Sequence, residues 1–344
     1  MNRVVIIILN WNGITDTLEC LDSLQKQSYK NFTILVVDNG STDNSKELLD
    51  DYKDKNPKNI EIIYNPKNFG FAGGVNTGIE WALNDNYDSV ALFNNDAIAD
   101  KDWLANLVKT IEPKEIGIST GLLLRRDGKT IDSTGDWYST WGLPFPRNRD
   151  NKTSKAPINN ELVFGATGGA SLYKTEMLRE IGLFDEDFFA YYEDTDICFR
   201  AQLAGWKVAY TPKAIAYHEQ GASSKKISGF AVYQTFKNLP LLFIKNIPRG
   251  LIFSIGVRFW LAYKLILLNA IKNGNGKYAI KGALKSFVLG FKKLDERKYI
   301  QKTKKVSVDY IKSILWQDLP PEQTGLRKFR SFFKKDSPAN HLTK

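Results

Sequence analysis

Apolar runs alternate with amphipathic stretches through the first hundred residues. Short runs typical of buried parallel strands occupy Val4–Leu9, Phe32–Val37, Ile60–Tyr64 and Ser89–Phe93. Apolar positions at helical spacing predict helices over Thr15–Gln27, Ser45–Lys53 and Gly73–Leu83. This alternation predicts an α/β fold with a mostly parallel central sheet covered on both faces. Ligands of such sheets bind at the carboxyl ends of the strands.

The remainder of the chain is less regular. Residues 115–165 combine Asp127-Gly128, a Trp- and Tyr-rich stretch and a polar run, which predicts loops lying over a site. Order returns over 162–218 as an apolar strand, a helix and a dense acidic segment. Beyond residue 225 the strand pattern ends, and we expect Pro240 and Pro248 to interrupt any long helix.

Charge divides the chain near residue 225. Residues 225–344 contain 25 Lys and Arg against 6 Asp and Glu, whereas residues 1–224 contain 23 against 32. We therefore predict a domain over 1–224 and a helical, basic region over 225–344 that meets an anionic surface or ligand. Nucleic acid is disfavoured as that partner, because no nucleic-acid motif is found and the first part is acidic.

The basic region has the composition of a membrane-surface element. Leu251–Ile271 is its most apolar window, but Arg258 and Lys264 would each cost roughly 2.5–3.5 kcal/mol at a bilayer centre. We therefore expect a helix lying in the interface rather than one spanning the bilayer. A basic stripe follows beside apolar Ile280, Leu284, Phe287 and Phe291, and consists of Lys277, Lys281, Lys285 and Lys292. The alternative is a helical subdomain packed on the first domain with a solvated basic face.

The two cysteines and the start of the chain favour a cytoplasmic location. Cys20 and Cys198 cannot build a disulfide framework, and they are interpreted as reduced core residues. The apolar run of Met1–Leu9 has no small-residue cleavage site after it, so it is interpreted as a buried strand rather than a signal peptide.

Polar clusters follow each predicted strand of the first hundred residues. They are Asn10-Trp11-Asn12-Gly13, Asp38-Asn39-Gly40-Ser41-Thr42-Asp43, Asn68 to Asn76, and Asn94-Asn95-Asp96. Singly, each is ordinary turn and capping chemistry. The glycines form neither G-x-G-x-x-G nor a P-loop. Together, four strand ends meeting at one edge predict a single polar site.

A second polar set lies between residues 185 and 218. It contains Asp185, Tyr191-Tyr192-Glu193-Asp194-Thr195-Asp196, Arg200 and His218. Acids at a helix start can simply compensate the helix dipole. Aromatic residues packed directly before them would desolvate a carboxylate, which raises its basicity.

The order of these motifs resembles glycosyltransferase family 2, the inverting GT-A fold, and within it the rhamnosyltransferase-like branch. The resemblance covers about residues 3–222 and also includes Cys20-Leu21-Asp22-Ser23-Leu24 and Phe184-Asp185-Glu186. It implies a nucleotide-binding half over about 1–100 and an acceptor half over about 101–224. The residues implied to bind the nucleotide are Asn10, Asn12, Asp38, Asn39, Ser41, Asn68, Gly70, Gly74, Asn76 and Asn95.

The resemblance also implies a divalent metal. Asn94-Asn95-Asp96 occupies the position of the family's D-x-D motif, with Asn94 in place of the first acid. The implied protein ligands are Asp96 and His218, and the implied cation is Mg²⁺ or Mn²⁺. It would neutralise charge that develops on the departing nucleoside diphosphate.

Asp194 matches the family's catalytic base, which takes the acceptor hydroxyl proton in a single displacement. Glu193, Asp196 and Trp137 are expected to position the acceptor. The expected reaction moves rhamnose from dTDP-rhamnose to a glycan or a polyprenyl-diphosphate-linked acceptor at the inner membrane face. A UDP-hexose or galactofuranose transferase, a nucleotidyltransferase and a non-catalytic sugar-nucleotide or glycan binding protein stay open as alternatives, as does homo-oligomerisation.

Overall fold

The computed structural model of the chain describes residues 2–56, 59–219, 227–321, 323, 325 and 327. Its strands are β1 Val4–Asn10, β2 Phe32–Asp38, β3 Ile60–Tyr64, β4 Ser89–Asn94, β5 Ala97–Ala99, β6 Ile116–Arg125, β7 Ile131–Ser133, β8 Asp136–Tyr138, β9 Pro144–Pro146, β10 Glu161–Val163, β11 Ala170–Lys174 and β12 Lys207–His218. Its α-helices are α1 Ile14–Leu24, α2 Ser45–Lys55, α3 Gly70–Asn84, α4 Trp103–Ile111, α5 Thr175–Ile181, α6 Glu193–Leu203, α7 Phe230–Asn246, α8 Ile252–Lys272, α9 Gly276–Thr303 and α10 Val308–Ile314. Residues 225–226, 322, 324, 326 and 328–344 of the predicted basic region lie outside the described part.

The central sheet is mixed but mostly parallel, which confirms the predicted fold class. Its order is β10–β12–β6–β11–β4–β1–β2–β3, with β5 paired to β12 and β7 paired to β6. Parallel pairing joins β1 to β2 and β4, β2 to β3, and β12 to β6. Strand β11 runs antiparallel to both of its neighbours, β4 and β6. Strands β1, β4, β6 and β12 therefore point the same way, and their carboxyl ends meet at one edge.

Strand β1 shows why the sheet is buried on both faces. Alternate residues Val4, Ile6 and Ile8 pack into the core beneath α1 and α4. The intervening Val5 and Ile7 pack into the core on the other face, beneath α3, α5 and α6. All five are at most 1% exposed. The continuous apolar run is thus the pattern of a strand covered on both faces.

The prediction that residues 115–165 form loops is wrong for the first part of that segment. β6 is a ten-residue strand with only its last residue not buried. Its apolar pattern is interrupted by small and polar residues that the packing requires. A Cβ on Gly121 would lie 2.0 Å from the carbonyl oxygen of Ala214, so only glycine fits beside β12. The hydroxyl of Ser171 donates to Thr120 at 2.9 Å in the interior.

Helices α7 to α10 share a third core with the sheet-bearing part of the chain. This core contains Tyr138, Phe164 and Phe199 together with Phe243 and Phe259 from α7 and α8. The rings of Phe243 and Phe259 stack at a centroid distance of 4.7 Å. The basic region, where described, is therefore packed against the first 224 residues through apolar side chains.

The expectation that Pro240 interrupts a helix is wrong, because α7 runs through it. Pro240 cannot donate to the carbonyl of Phe236, four residues earlier. The hydroxyl of Tyr263 donates to that carbonyl instead, at 2.8 Å. Pro248 does follow the end of α7, as predicted.

Helices α8 and α9 present apolar side chains to solvent. Helix α8 buries Ile255 and Phe259 against the core and leaves Phe253 84% exposed. Among the described residues, Arg249–Lys272 alone is long and apolar enough to cross a membrane by length and composition, and a third of its apolar window is buried. On α9 the exposed apolar residues are Ile280, Leu284, Phe287, Val288, Phe291 and Leu294.

Candidate active site

A cavity of about 810 Å³ opens at the edge where β1, β4 and β12 end. The site residues singled out from sequence that line it are Asn39, Asn68, Gly70, Asn94, Asn95, Asp96, Glu193, Asp194 and His218. Much of the remaining wall is aromatic and consists of Trp11, Phe71, Phe145, Phe189, Tyr191, Tyr192 and Phe230. The structure thus brings both predicted polar sets into one site.

The ends of β1 and β2 are tied together beneath the cavity. Asn10 and Asp38 are register partners, and the Asn10 amide donates to Asp38 Oδ2 at 2.7 Å. The second carboxylate oxygen of Asp38 accepts from the backbone N–H of Ser41 at 3.0 Å. Ser41 Oγ accepts from the backbone of Asn12 at 2.9 Å. These four predicted nucleotide-binding residues do not line the cavity, and their contacts instead shape the loops that do.

Asn39 links the end of β2 to the turn that begins α3. Its amide donates to Asn68 Oδ1 at 3.1 Å and to the carbonyl of Gly70 at 2.9 Å. Asn68 Oδ1 also accepts from the backbone N–H of Gly70 at 2.7 Å. Because Asn39 is buried, this network fixes the conformation of the turn at the cavity wall.

The glycines of this turn permit close packing with other parts of the protein. Gly70 has φ +75°, and a Cβ there would lie 2.4 Å from the carbonyl oxygen of Phe189. A Cβ on Gly74 would lie 2.4 Å from Leu9 Cδ1. Asn76 is also directed away from the cavity, since its side chain exchanges hydrogen bonds with the backbone of Phe184 at 2.8 and 3.0 Å.

Asp96 and His218 form the candidate metal centre. Asp96 Oδ1 lies 3.1 Å from His218 Nε2, and Nδ1 of the same ring lies 2.8 Å from Asp132 Oδ2. Burial lowers the pKa of His218, but its hydrogen bonds to Asp132 and Asp96 outweigh this and raise the pKa to about 9. The site thus favours positive charge between the imidazole and Asp96. A divalent cation meets the same demand, with Asp132 fixing the ring from behind.

The two asparagines before Asp96 have different surroundings. Asn94 Nδ2 lies 3.1 Å from His218 Nε2, so rotation of this amide would turn its oxygen toward the same position. Asn94 can therefore supply a neutral oxygen where the family motif has an acid. Asn95 donates to the hydroxyl of Thr17 at 3.0 Å and so anchors the end of β4 to α1.

A second acidic group, formed by Asp185, Asp187 and Glu296, has the spacing of a metal site. However, Lys293 Nζ lies 2.6, 2.8 and 2.7 Å from these three carboxylates. Lys245 Nζ adds a contact of 2.7 Å to Asp185. Ammonium groups therefore occupy the position that a cation would take, and this group is a half-buried ion-pair network.

Asp194 begins α6 and is held at both carboxylate oxygens. Oδ2 accepts from the backbone N–H of Gly168 at 3.1 Å, and Oδ1 accepts from that of Thr195 at 2.7 Å. Burial raises the pKa of Asp194 more than these hydrogen bonds lower it, so the pKa lies above that of an ordinary aspartate. A more basic carboxylate that remains partly accessible from the cavity is suited to take a proton.

Two further acids flank Asp194. Burial and the neighbouring charge of Asp194 raise the pKa of Glu193 to about 8. The same two causes raise the pKa of Asp136 well above its usual range. Three carboxyl groups therefore share one partly desolvated region of the cavity, where they cannot all be ionised at neutral pH.

The other two residues expected to position the acceptor lie away from the cavity. Asp196 is fully buried and pairs with Arg200 at 2.8 Å and Lys245 at 3.0 Å. Trp137 packs against Trp316 with a centroid distance of 5.8 Å. Their contacts support the walls of the site from behind.

Sequence reasoning missed Asp132, Asp136 and Arg149. Asp136 and Arg149 line the cavity, and Arg149 pairs with Asp132 at 3.0 Å. All three lie in the segment predicted to be loops. The sequence did contain one indication of these residues. Asp132 and Asp136 lie on either side of Ser133-Thr134-Gly135, and two acidic residues so close to a glycine could have suggested a polar site.

The comparisons with known proteins agree with this geometry. Residues 5–182 match the family described as glycosyl transferase family 2. A low-salt glycan biosynthesis hexosyltransferase of Haloferax volcanii is 24% identical over 79% of this chain and 87% of its own length. A poly-β-1,6-N-acetyl-D-glucosamine synthase of Staphylococcus aureus is 26% identical over 59% of this chain, which spans 47% of that protein.

Solved structures show the same fold. A mannosyltransferase of Pyrobaculum calidifontis, in complex with GDP-Man and Mn²⁺, is 17% identical with a TM-score of 0.55, covering 91% of this chain and 87% of its own. GalNAc-T7 with UDP, GalNAc and Mn²⁺ is 16% identical with a TM-score of 0.60, covering 86% of this chain and 57% of its own.

The fold and site therefore define a GT-A type nucleotide-sugar glycosyltransferase. The chain belongs to glycosyl transferase family 2. This assignment sets aside the nucleotidyltransferase and the non-catalytic binding protein that the sequence alone had left open.

Asp132→Asn should weaken Mn²⁺ binding by 10- to 100-fold, because the amide cannot hold His218 as a carboxylate does. The measurement is an electron paramagnetic resonance titration of free Mn²⁺. Asp127→Asn is the control, because Asp127 is exposed and its substitution makes the same charge change on the neighbouring turn. Equal affinity in Asp132→Asn and the control would show that Asp132 does not support a metal ligand.

Proposed function

We propose that the protein is an inverting, metal-dependent transferase in which Asp194 is the general base. The observation that supports this is that Asp194 and the Asp96–His218 pair face one cavity. Asp194 would remove the proton of an acceptor hydroxyl as its oxygen bonds to the anomeric carbon of the donor. The bond from that carbon to the diphosphate oxygen breaks, and its electron pair leaves with the nucleoside diphosphate.

Asp96 and His218 would hold the cation, either Mg²⁺ or Mn²⁺, with Asn94 beside them. The cation's contribution is to neutralise charge on the leaving diphosphate. Arg149 lies in the same wall, and its guanidinium suits a second contact to phosphate oxygens. Glu193 and Asp136 lie beside the base, where they would contact acceptor hydroxyl groups.

The proposed donor is dTDP-rhamnose, with a UDP-hexose or UDP-galactofuranose as the second candidate. The ordered motifs from Asn10 to His218 resemble the rhamnosyltransferase-like branch. The largely aromatic cavity wall also suits a 6-deoxy sugar, because its methyl group can be buried without a lost hydrogen bond.

In a thermal-shift panel with Mn²⁺, dTDP-rhamnose should raise Tm more than UDP-glucose, UDP-galactose or UDP-galactofuranose. A ligand at 100 times its Kd stabilises the folded state by about 2.7 kcal/mol, which is readily measured. Free dTDP and UDP serve as controls for the nucleotide alone. If any UDP-sugar raised Tm more than dTDP-rhamnose does, that UDP-sugar would replace dTDP-rhamnose as the proposed donor.

Asp194→Asn should retain donor binding and lose transfer by about 10²- to 10⁴-fold, the usual contribution of a general base. The wild-type kcat/KM should fall as pH falls through the raised pKa of Asp194, because the protonated carboxyl cannot accept a proton. That acidic limb should be absent from the residual activity of the variant. Parallel losses of donor binding and transfer would remove Asp194 from the role of base.

The α8–α9 surface is proposed to bind the inner face of the cytoplasmic membrane, where a polyprenyl-diphosphate-linked acceptor would be met. Phe287 and Phe291 are 71% and 62% exposed on α9, and the exposed lysines Lys277, Lys281 and Lys285 lie on the same helix. Exposed aromatic rings interleaved with lysines are typical of helices that lie in anionic interfaces. Helix α8 packs one side on the core, which favours surface binding over spanning.

Replacing Lys277, Lys281 and Lys285 by Gln should weaken binding to vesicles containing phosphatidylglycerol by roughly 10²-fold, at about 1 kcal/mol per lysine. Co-sedimentation measures the binding, which should also weaken with salt. Lys292 is left intact because it pairs with Asp187. Replacing exposed Lys26, Lys109 and Lys129 is the control of equal charge. Equal binding of the wild type to neutral and anionic vesicles, or to neither, contradicts the proposal.

A further inference from the structure

The segment that leads into the base has an unusual backbone. Phe189, Tyr191 and Tyr192 have φ of 61°, 69° and 72°, in the left-handed region that aromatic residues avoid. Such a backbone conformation is unfavourable for a residue with a side chain and persists only where its surroundings hold it. All three line the cavity, and Tyr192 directly precedes α6 and Asp194.

Two buried side chains of α7 hold the carbonyl groups of this segment. The Asn238 amide nitrogen lies 2.9, 2.9 and 2.7 Å from the carbonyl oxygens of Phe188, Ala190 and Tyr191. Lys237 Nζ donates to the carbonyls of Asp187 and Phe188 at 2.8 and 3.1 Å.

The amide of Asn238 acts through its nitrogen alone. Asn238 is 0% exposed, and no donor in the described part of the chain reaches its Oδ1. A buried amide oxygen without a partner is costly. The three carbonyl contacts of the amide nitrogen offset that cost. The side chain is therefore suited to gathering carbonyl groups that would otherwise diverge.

The held segment also touches the nucleotide-binding side. The backbone N–H of Ala72, in α3, donates to the carbonyl of Phe189 at 3.2 Å. This carbonyl approaches Gly70 so closely that a side chain there would clash with it. The segment is thus fixed between α3 and α7, and any relaxation of its backbone would displace the start of α6.

We propose that Lys237 and Asn238 are positioning residues that set the catalytic base, Asp194, against the bound sugar nucleotide. The proposal rests on the assignment of Asp194 as base. It gives the basic C-terminal region a part in the reaction, because α7 lies outside the residues matched by the family. A displacement of about 1 Å at a reacting group can cost 10²-fold in rate.

Asn238→Leu tests this by keeping the branched shape of the side chain and removing its donor hydrogens. We expect kcat to fall by about 10²-fold, with the donor Kd changed less than about threefold. Thr175→Val is the matched control. Thr175 is buried, and its hydroxyl holds the carbonyls of Tyr87 and Asp88 at 2.7 and 3.0 Å, at the opposite end of β4. Thr175→Val should lower Tm similarly and leave kcat within about threefold of wild type.

The double variant separates positioning from general loss of structure. If Asn238 acts through Asp194, Asn238→Leu should cost little further activity in an Asp194→Asn background, since residues acting as a unit are not additive. The proposal would be overturned if the loss of activity in the double variant equalled the product of the two single losses. It would also be overturned if Asn238→Leu and Thr175→Val had the same kcat. If the Asp194→Asn variant is inactive while the Asn238→Leu variant is fully active, the positioning role is rejected and the assignment of Asp194 as base is kept. An active Asp194→Asn rejects the base itself.

Discussion

The candidate metal centre depends on a short antiparallel pairing between β5 and the end of β12. In that register His218 is opposite Ala97, the residue after Asp96. A slip of one residue would turn the imidazole to the other face of the sheet and separate the two ligands. The pairing itself is possible because β12 runs parallel to β6 and β4, so that it ends at the same edge as the loops that follow β1 and β4. Strand register, more than any single side chain, therefore assembles the site.

Buried charge is the second constraint, and it changes the meaning of the basic C-terminal region. Lys245 and Lys293 are directed inward, where they neutralise Asp185, Asp187 and Asp196. Ion pairs of this kind contribute little net stability, because desolvation offsets their attraction, but they disfavour other arrangements of the helices. Part of the uneven charge seen in the sequence is thus internal pairing between the two regions. The lysines left on the exposed face of α9 are those that the proposed lipid surface would contact.

The first hundred residues are predictable because the apolar runs of β1, β2 and β4 are strands covered on both faces, and a polar cluster follows each strand. The order of the motifs, through the family resemblance, also indicates that Asp96, Asp194 and His218 share one site. Residues 115–165 are not predictable in the same way. Gly121 and Thr120 break the apolar pattern of β6 because they fit between neighbouring strands. Asp132 becomes a candidate site residue only through its contact with His218, which lies 86 positions away in the sequence. Likewise, periodicity cannot show that Tyr263 completes the helix at Pro240.

The boundary of the family match has a physical explanation in the cavity. Residues 5–182 include Asp96 and the loops that follow β1 and β2, to which the sequence resemblance assigns the binding of metal and nucleotide. The opposite wall comes from later residues, among them Tyr191, Phe230 and Thr235. In the mechanism that we propose, that wall and Asp194 would face the acceptor. Helix α7 both carries part of this wall and holds the segment before Asp194. If Asn238 positions the base as we propose, a change of acceptor preference would have to preserve the contacts of Asn238 while altering residues one turn away.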